Sequence, residues 1–247
     1  MTNTKVYIHE FIDVIGHHRA DYMHHMTANW SPIGQRERNQ LCYGVWGTVG
    51  STGRWPEVVN LWEHDGFEGL AASFRTEFNH PTLQDPALAE WWAQAANFRR
   101  GGFDRILIPA PWTRTITELN ADGVTGEVYA HDVVRVPSGS AWGFLEVVRA
   151  EAVVVVERFG WTLAGAWVTA MGDDREVILL WAIPSWDEWA AFEDAQRTDV
   201  AATAWRNRLH ELALGWDRTL LVDAPLSPFR TLRQPREADR NTYQLPA

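Results

Sequence analysis

The chain predicts an α+β fold in which one βαββαβ unit is written twice and the two units close a single barrel. Three observations predict it. First, short segments recur in the same order: Val6-Tyr7-Ile8-His9-Glu10 returns as Val128-Tyr129-Ala130-His131-Asp132, and Val58-Val59-Asn60-Leu61-Trp62 as Val177-Ile178-Leu179-Leu180-Trp181. Second, each copy alternates β-branched runs with stretches long enough for helices. Third, a split βαβ sheet carries helices on one face only, so its other face must find a partner, and a second copy supplies one. The expected organisation is a first repeat over 1–111, a linker over 112–125, a second repeat over 126–225 and an extended arm over 226–247.

Each element has a local reason. Residues 5–14 and 126–136 are β-branched and aromatic, as strands are, and Ile15-Gly16 and Pro137-Ser138-Gly139 end them. Helices are expected over 17–38 and 140–159, the second stopped by Gly160. Hairpins follow, 41–50 with 57–63 and 161–171 with 176–183, the latter turning at Gly172-Asp173-Asp174. Gly44-Val45-Trp46 and Gly165-Ala166-Trp167 match within them. Two further helices complete each copy (66–77 and 86–99; 186–196 and 200–214), and strands over 104–109 and 218–223 close it. Phe103-Asp104-Arg105 aligns with Trp216-Asp217-Arg218. The arm has three prolines and no periodicity, and is expected to lie over the surface.

Composition narrows the chemistry. Twenty-two Lys and Arg against thirty-two Asp and Glu give a formal charge of −10, which argues against nucleic acid as a partner. No run has the ~20 apolar residues of a membrane span, and the polar N-terminus is unlike a signal; a cytoplasmic protein is expected. One cysteine, Cys42, excludes an internal disulfide and a multi-cysteine metal site. The single lysine, Lys5, lies in the N-terminal arm, a poor place for a Schiff base. Phosphate-cradle, dinucleotide, serine-hydrolase and zincin motifs are absent. Fifteen tryptophans predict wide aromatic walls.

With these residues in view, the pattern resembles the NIPSNAP-like members of the dimeric α/β-barrel (ferredoxin-like) superfamily. The likeness lies in Val6-Tyr7, Leu61-Trp62, Asp85-Pro86 with Trp91, and Asp104-Arg105-Ile106-Leu107, and in the second copy's Leu180-Trp181, Asp199, Trp205 and Asp217-Arg218, with Val200 where the first copy has proline. It implies two ferredoxin-like repeats forming an intramolecular barrel, and it allows a homodimer. That superfamily includes cofactor-free monooxygenases, cyclases, isomerases, haem-binding enzymes and proteins without known chemistry, so the resemblance speaks to fold more than to reaction.

Candidate functional residues are those the two copies do not share, together with the paired histidines. His9 and His131 stand at matching points of the opening strands, where an imidazole can shuttle protons or simply serve the fold. Tyr22 and His24, with His17, His18, Asp21 and His25, lie on a first-copy helix whose second-copy counterpart has no histidine. A solvated face, acid–base work and a metal or haem ligand are the open readings. Glu63 becomes Ala182, so the fold can do without its carboxylate. His64 is expected at the surface. Trp46, Trp62, Trp167 and Trp181 are expected between sheet and helices, or as walls of an apolar ligand cavity. The expectation is a cofactor-independent enzyme acting on a small hydrophobic or aromatic molecule by histidine-based acid–base catalysis, with no metal. The alternatives are a haem-binding dehydratase or peroxidase-like enzyme and a non-catalytic binding protein.

Overall fold

The structure, a computed structural model, describes residues 2–241. The first half runs β1 (Val6–Val14), α1 (Arg19–His24), a π-helical segment (His25–Trp30), α2 (Ser31–Glu37), β2 (Leu41–Thr48), β3 (Glu57–His64), α3 (Gly66–Phe78), α4 (Ala89–Ala95) and β4 (Arg99–Pro109). After α5 (Ile116–Ala121) the second half repeats the order: β5 (Val128–Arg135), α6 (Ala141–Val147), a π-helical segment (Val148–Ala152), α7 (Val153–Val156), β6 (Thr162–Thr169), β7 (Glu176–Ile183), α8 (Trp186–Thr198), α9 (Val200–Leu212) and β8 (Gly215–Asp223), with α10 (Pro228–Thr231) behind it. The first long helix of each half is therefore interrupted by a π turn at the same place. Such turns often mark functional sites, but one present in both halves belongs to the repeat.

Eight antiparallel strands close in the order β1-β3-β2-β8-β5-β7-β6-β4. Within each half the pairing is long, as in Val6↔His64 through Asp13↔Glu57. The seams between halves are short: β2 meets β8 only over Trp46↔Asp223 to Thr48↔Leu221, and β4 meets β6 over Leu107↔Thr169 to Pro109↔Trp167. Strand alternation splits the core into two layers. Tyr7, Tyr43, Trp46, Leu61, Tyr129 and Trp167 fill the barrel, their rings edge-on at centroid distances near 5.5 Å. Ile12, Tyr22, Val45 and Trp62 pack outward under the first-half helices.

The duplicated Gly-x-Trp has a steric cause. A Cβ on Gly44 would stand 2.1 Å from the Trp46 ring, and one on Gly165 1.8 Å from the Trp167 ring. Each glycine sits at a register shift of its strand, which lets the indole two residues on fold back across the backbone.

The linker and the arm are more structured than expected. Thr115 and Glu118 form a capping box that starts α5, and Ile116 and Leu119 enter the barrel core together with Phe229 of α10. Beyond α10, Gln234 brackets the Cys42 backbone at 2.9 and 2.8 Å, so the arm is tied into the first half. Its residues 242–247 lie outside the described residues.

Candidate functional site

A cavity of about 610 Å³ opens between the first-half sheet and its helices. Met26, Trp30, Phe74, Phe78, Trp91 and Trp92 wall it, Phe103 and Met171 rim it, and Ile8 and Glu10 reach it from β1. Arg38, Arg99, Asp104, Arg105 and Glu176 bring charge to its edges. The second half has a smaller counterpart of about 430 Å³ lined by Glu193, Arg197 and Arg206. By the β3/β7 and β4/β8 registers these replace Phe74, Phe78 and Trp92. The two equivalent spaces have diverged, one apolar and one charged.

Glu10 is the polar centre of the first. Its Oε2 accepts from Asn60 Nδ2 at 2.8 Å and from Trp62 Nε1 at 2.9 Å, and the same Asn60 nitrogen donates to the Tyr22 hydroxyl at 2.9 Å. No described residue hydrogen-bonds Oε1. Burial, with Asp104 as a like-charged neighbour, raises the Glu10 pKa above the ordinary carboxyl range. Its counterpart Asp132 accepts from Trp181 and Trp216 and from both Nε and Nη2 of Arg218, at 2.7 and 2.9 Å. Its carboxyl is shifted the other way: burial would raise it, but the guanidinium and the indole donors together hold it below the ordinary range.

This difference corrects the sequence alignment of the closing strands. Glu10 pairs with Asp104 across β1 and β4, and Asp132 pairs with Arg218 across β5 and β8. Asp104 is thus the counterpart of Arg218, not of Asp217. A one-residue slip turns every side chain to the other face of a strand, and here it hid a change from cation to carboxylate at the floor of the cavity.

The residues singled out from sequence do not converge. His9 and His131 meet inside the barrel, Nε2 to Nε2 at 3.0 Å with rings stacked at 5.0 Å; burial keeps both pKa values low, that of His131 at about 4. Neither lines the cavity. Tyr22 is buried beneath it and reaches Glu10 through Asn60, and burial raises its phenol. His24 is half-buried beside the backbone of Arg240. Glu63 faces the barrel, accepting from the Tyr7 hydroxyl and the Ile116 amide, each at 3.0 Å. His64, expected at the surface, is buried, because β3 continues through it under α3. Alternation divides the four tryptophans: Trp46 and Trp167 fill the barrel, Trp62 and Trp181 lie on the helix side as donors to Glu10 and Asp132, and none of the four lines the cavity. Trp30, Trp91 and Trp92 do.

Glu10, Asn60, Arg99 and Asp104 were missed. Asn60 was detectable, since it stands against Leu179 inside a matched segment; Glu10 was masked by its acidic counterpart, and Asp104 by the slip. His25, the buried helix histidine, is occupied at both ring nitrogens, by Trp91 O at 3.3 Å and Asn29 Nδ2 at 3.1 Å. Among the described residues, no imidazole, thiolate or phenol lines the cavity, and no three His, Cys, Asp or Glu side chains are grouped to hold a metal. The cavity lining thus offers a haem iron no histidine, cysteine or tyrosine ligand among the described residues. No described helix is long and apolar enough to cross a membrane.

No protein-family profile matches the sequence, and no curated protein does. Solved structures match over nearly the whole chain. A proposed monooxygenase from Lactobacillus acidophilus is 8% identical with a TM-score of 0.58, covering 95% of this chain and 97% of its own. An anthrone oxidase-like protein is 12% identical with a TM-score of 0.52, covering 90% and 93%. A NIPSNAP family protein from Agrobacterium tumefaciens is also among the matches, 24% identical over 38% of this chain and 90% of its own, with a TM-score of 0.34. By its closed ring of eight strands and its helices outside, the chain is a dimeric α/β-barrel protein in fold, with both halves in one polypeptide.

Proposed function

We propose that this protein is an enzyme for a small, largely apolar molecule, working by acid–base chemistry at Glu10 in the first-half cavity. One observation carries the reading: Glu10 is a desolvated carboxyl at an aromatic cavity, without the arginine that neutralises Asp132 at the same place in the other half. A carboxyl held above its ordinary range keeps its proton to higher pH and is a stronger base once ionised than a solvated carboxylate, which suits a general acid or base. Trp62 and Asn60 fix Oε2, which leaves Oε1 for the reacting atom. As base, Oε1 takes a proton from carbon beside a carbonyl or on an activated ring, and the C–H electron pair passes into the adjacent π system. Isomerisation, cyclisation and elimination all start this way. The names of the full-length structural neighbours, monooxygenase and anthrone oxidase-like, are compatible with the same first step. Tyr22 acts as a positioning residue through Asn60.

The test is Glu10→Gln, which keeps the shape and removes the base. Aromatic ketones, lactones and phenols, each with and without a pendant amine, are incubated in air with wild type, and products are followed by mass spectrometry. For any compound turned over, Glu10→Gln should lower kcat by about 10²–10⁴-fold with KM little changed, whereas a His9→Phe variant that folds should keep its rate. Wild-type turnover by the Glu10→Gln variant would remove the assignment.

A further inference from the structure

The second half shows what the first lacks. There the Arg218 guanidinium lies on Asp132, with its Cζ 4.9 Å from the Trp216 ring and 5.3 Å from the Trp161 ring. The first half retains the carboxylate as Glu10 and the indole donor as Trp62. At the registers of Arg218, Trp216 and Trp161 it has Asp104, Gly102 and Gln40. The cation and two of its aromatic neighbours are absent together, and Asp104 and Gln40 line the cavity instead.

No cation is ion-paired at that place among the described residues. Arg99 lies over the Trp92 ring at 4.8 Å and is near enough to favour the charged forms of Glu10 and Asp104, but it forms no ion pair with either, unlike the two-point contact of Arg218 with Asp132. Arg38 is committed to Glu77 and Asp85 at 2.8 and 3.0 Å, and Arg105 to Glu176 at 2.8 Å. Three arginines therefore face four carboxylates around the cavity, Glu10, Glu77, Asp104 and Glu176. The Asp104 carboxylate is exposed and makes no hydrogen bond to a described residue. A desolvated carboxylate gains most from a cation that brings its own apolar cover, and aromatic faces add cation–π attraction.

We propose that the first-half cavity takes a hydrophobic organic cation, an amine or guanidine on an apolar body, whose charged head occupies the place of the missing Arg218 guanidinium beside Glu10 and Asp104. Phe74, Phe78 and Trp92 cover the body, where the second half has Glu193, Arg197 and Arg206. This names a substrate class for the cavity described above and rests on that cavity being the working site.

Isothermal titration of the full chain at neutral pH tests it with three probes of one shape: 2-naphthylmethylamine as cation, 2-naphthylmethanol as neutral isostere and 2-naphthoate as anion. The amine should bind at least about tenfold more tightly than the other two, the sum of one ion pair and one cation–π contact. The preference should vanish in Glu10→Gln/Asp104→Asn and shrink in Asp104→Asn alone, an exposed change that leaves folding intact. Asp104→Arg, which restores the second-half arrangement, should abolish amine binding. Equal or tighter binding of the alcohol or naphthoate, no binding of any probe, or an amine preference that survives the double variant would each overturn the proposal. A charge preference without loss of turnover in Glu10→Gln would leave the cation site standing and remove the acid–base role; loss of turnover without a charge preference would do the reverse.

Discussion

Glu10 and Asp132 occupy one register in the two halves yet are shifted in opposite directions: burial, with Asp104 beside it, raises Glu10, whereas Arg218 and the indole donors outweigh burial at Asp132. The sign of each effect on stability follows from linkage. A carboxyl whose pKa is raised by folding contributes its stability fully below the unfolded value of about 4.5 and loses it as pH climbs through the raised value. A carboxyl whose pKa is depressed contributes above its unfolded value and loses that as pH falls. Between about pH 5 and 8, raising the pH should therefore change the urea midpoint less favourably in wild type than in Glu10→Gln, on top of the histidine contribution that both share. Asp132→Asn should instead be weaker throughout that range, by about 3–5 kcal/mol, since it leaves Arg218 unpaired in a mostly buried site. A Glu10→Gln profile parallel to wild type would show that Glu10 is already ionised in the folded protein.

At the scale of elements, the two β-hairpins and the closing helix carry the packing. Gly44 and Gly165 make room for the indoles two residues later, so alanine at either position must displace a fully buried tryptophan. Each substitution should cost about 1–3 kcal/mol, as overpacking does, read from urea midpoints with no change in slope; a cost near zero would mean that the ring can swing aside. The short helix α10 inserts Phe229 among Tyr43, Trp46 and Tyr129, and Phe229→Ala should cost about 3–5 kcal/mol. An unchanged midpoint would make α10 a surface feature. The β4 and β8 strands teach a different lesson. Their sequence match, Phe-Asp-Arg on Trp-Asp-Arg, is better than the true structural match of Gly-Phe-Asp on Trp-Asp-Arg. Only backbone pairing with β1 and β5 fixes which residues share a face.

For the molecule as a whole, two sheets with one bare face each solve the same problem by closing on each other, and short seams suffice because the shared interior is largely aromatic and aliphatic, with its polar groups paired inside it as Glu63 is with Tyr7 and His9 with His131. That pair is held neutral by burial, and Arg105 near both rings further disfavours a proton. A histidine with a depressed folded pKa contributes stability above its unfolded value of about 6.5, and that stability is lost as pH falls toward about 4. Unfolding midpoints should accordingly fall between those limits, and His9→Phe/His131→Phe should flatten part of the fall. His25 and His64, also shifted down to about 4 by burial, would account for the rest. A double variant with an undiminished acid slope would place the titration outside the barrel.

The duplication, the α+β class, the strand–helix order and the closed barrel were all legible in the residues, because repeats, apolar periodicity and turn chemistry are properties of neighbours along the chain. So were the pairing of Gly44-Val45-Trp46 with Gly165-Ala166-Trp167 and the singling out of His9 with His131, though not where those side chains point. The cavity floor was not legible. It depends on which face of β4 holds Asp104, on Gln40 standing where the second half has Trp161, and on Asn60 holding Glu10 and Tyr22 at once. Burial, register and like-charge proximity arise only when strands distant in sequence are laid side by side, so the tertiary structure alone decided that a carboxylate, rather than a histidine, sits at the cavity.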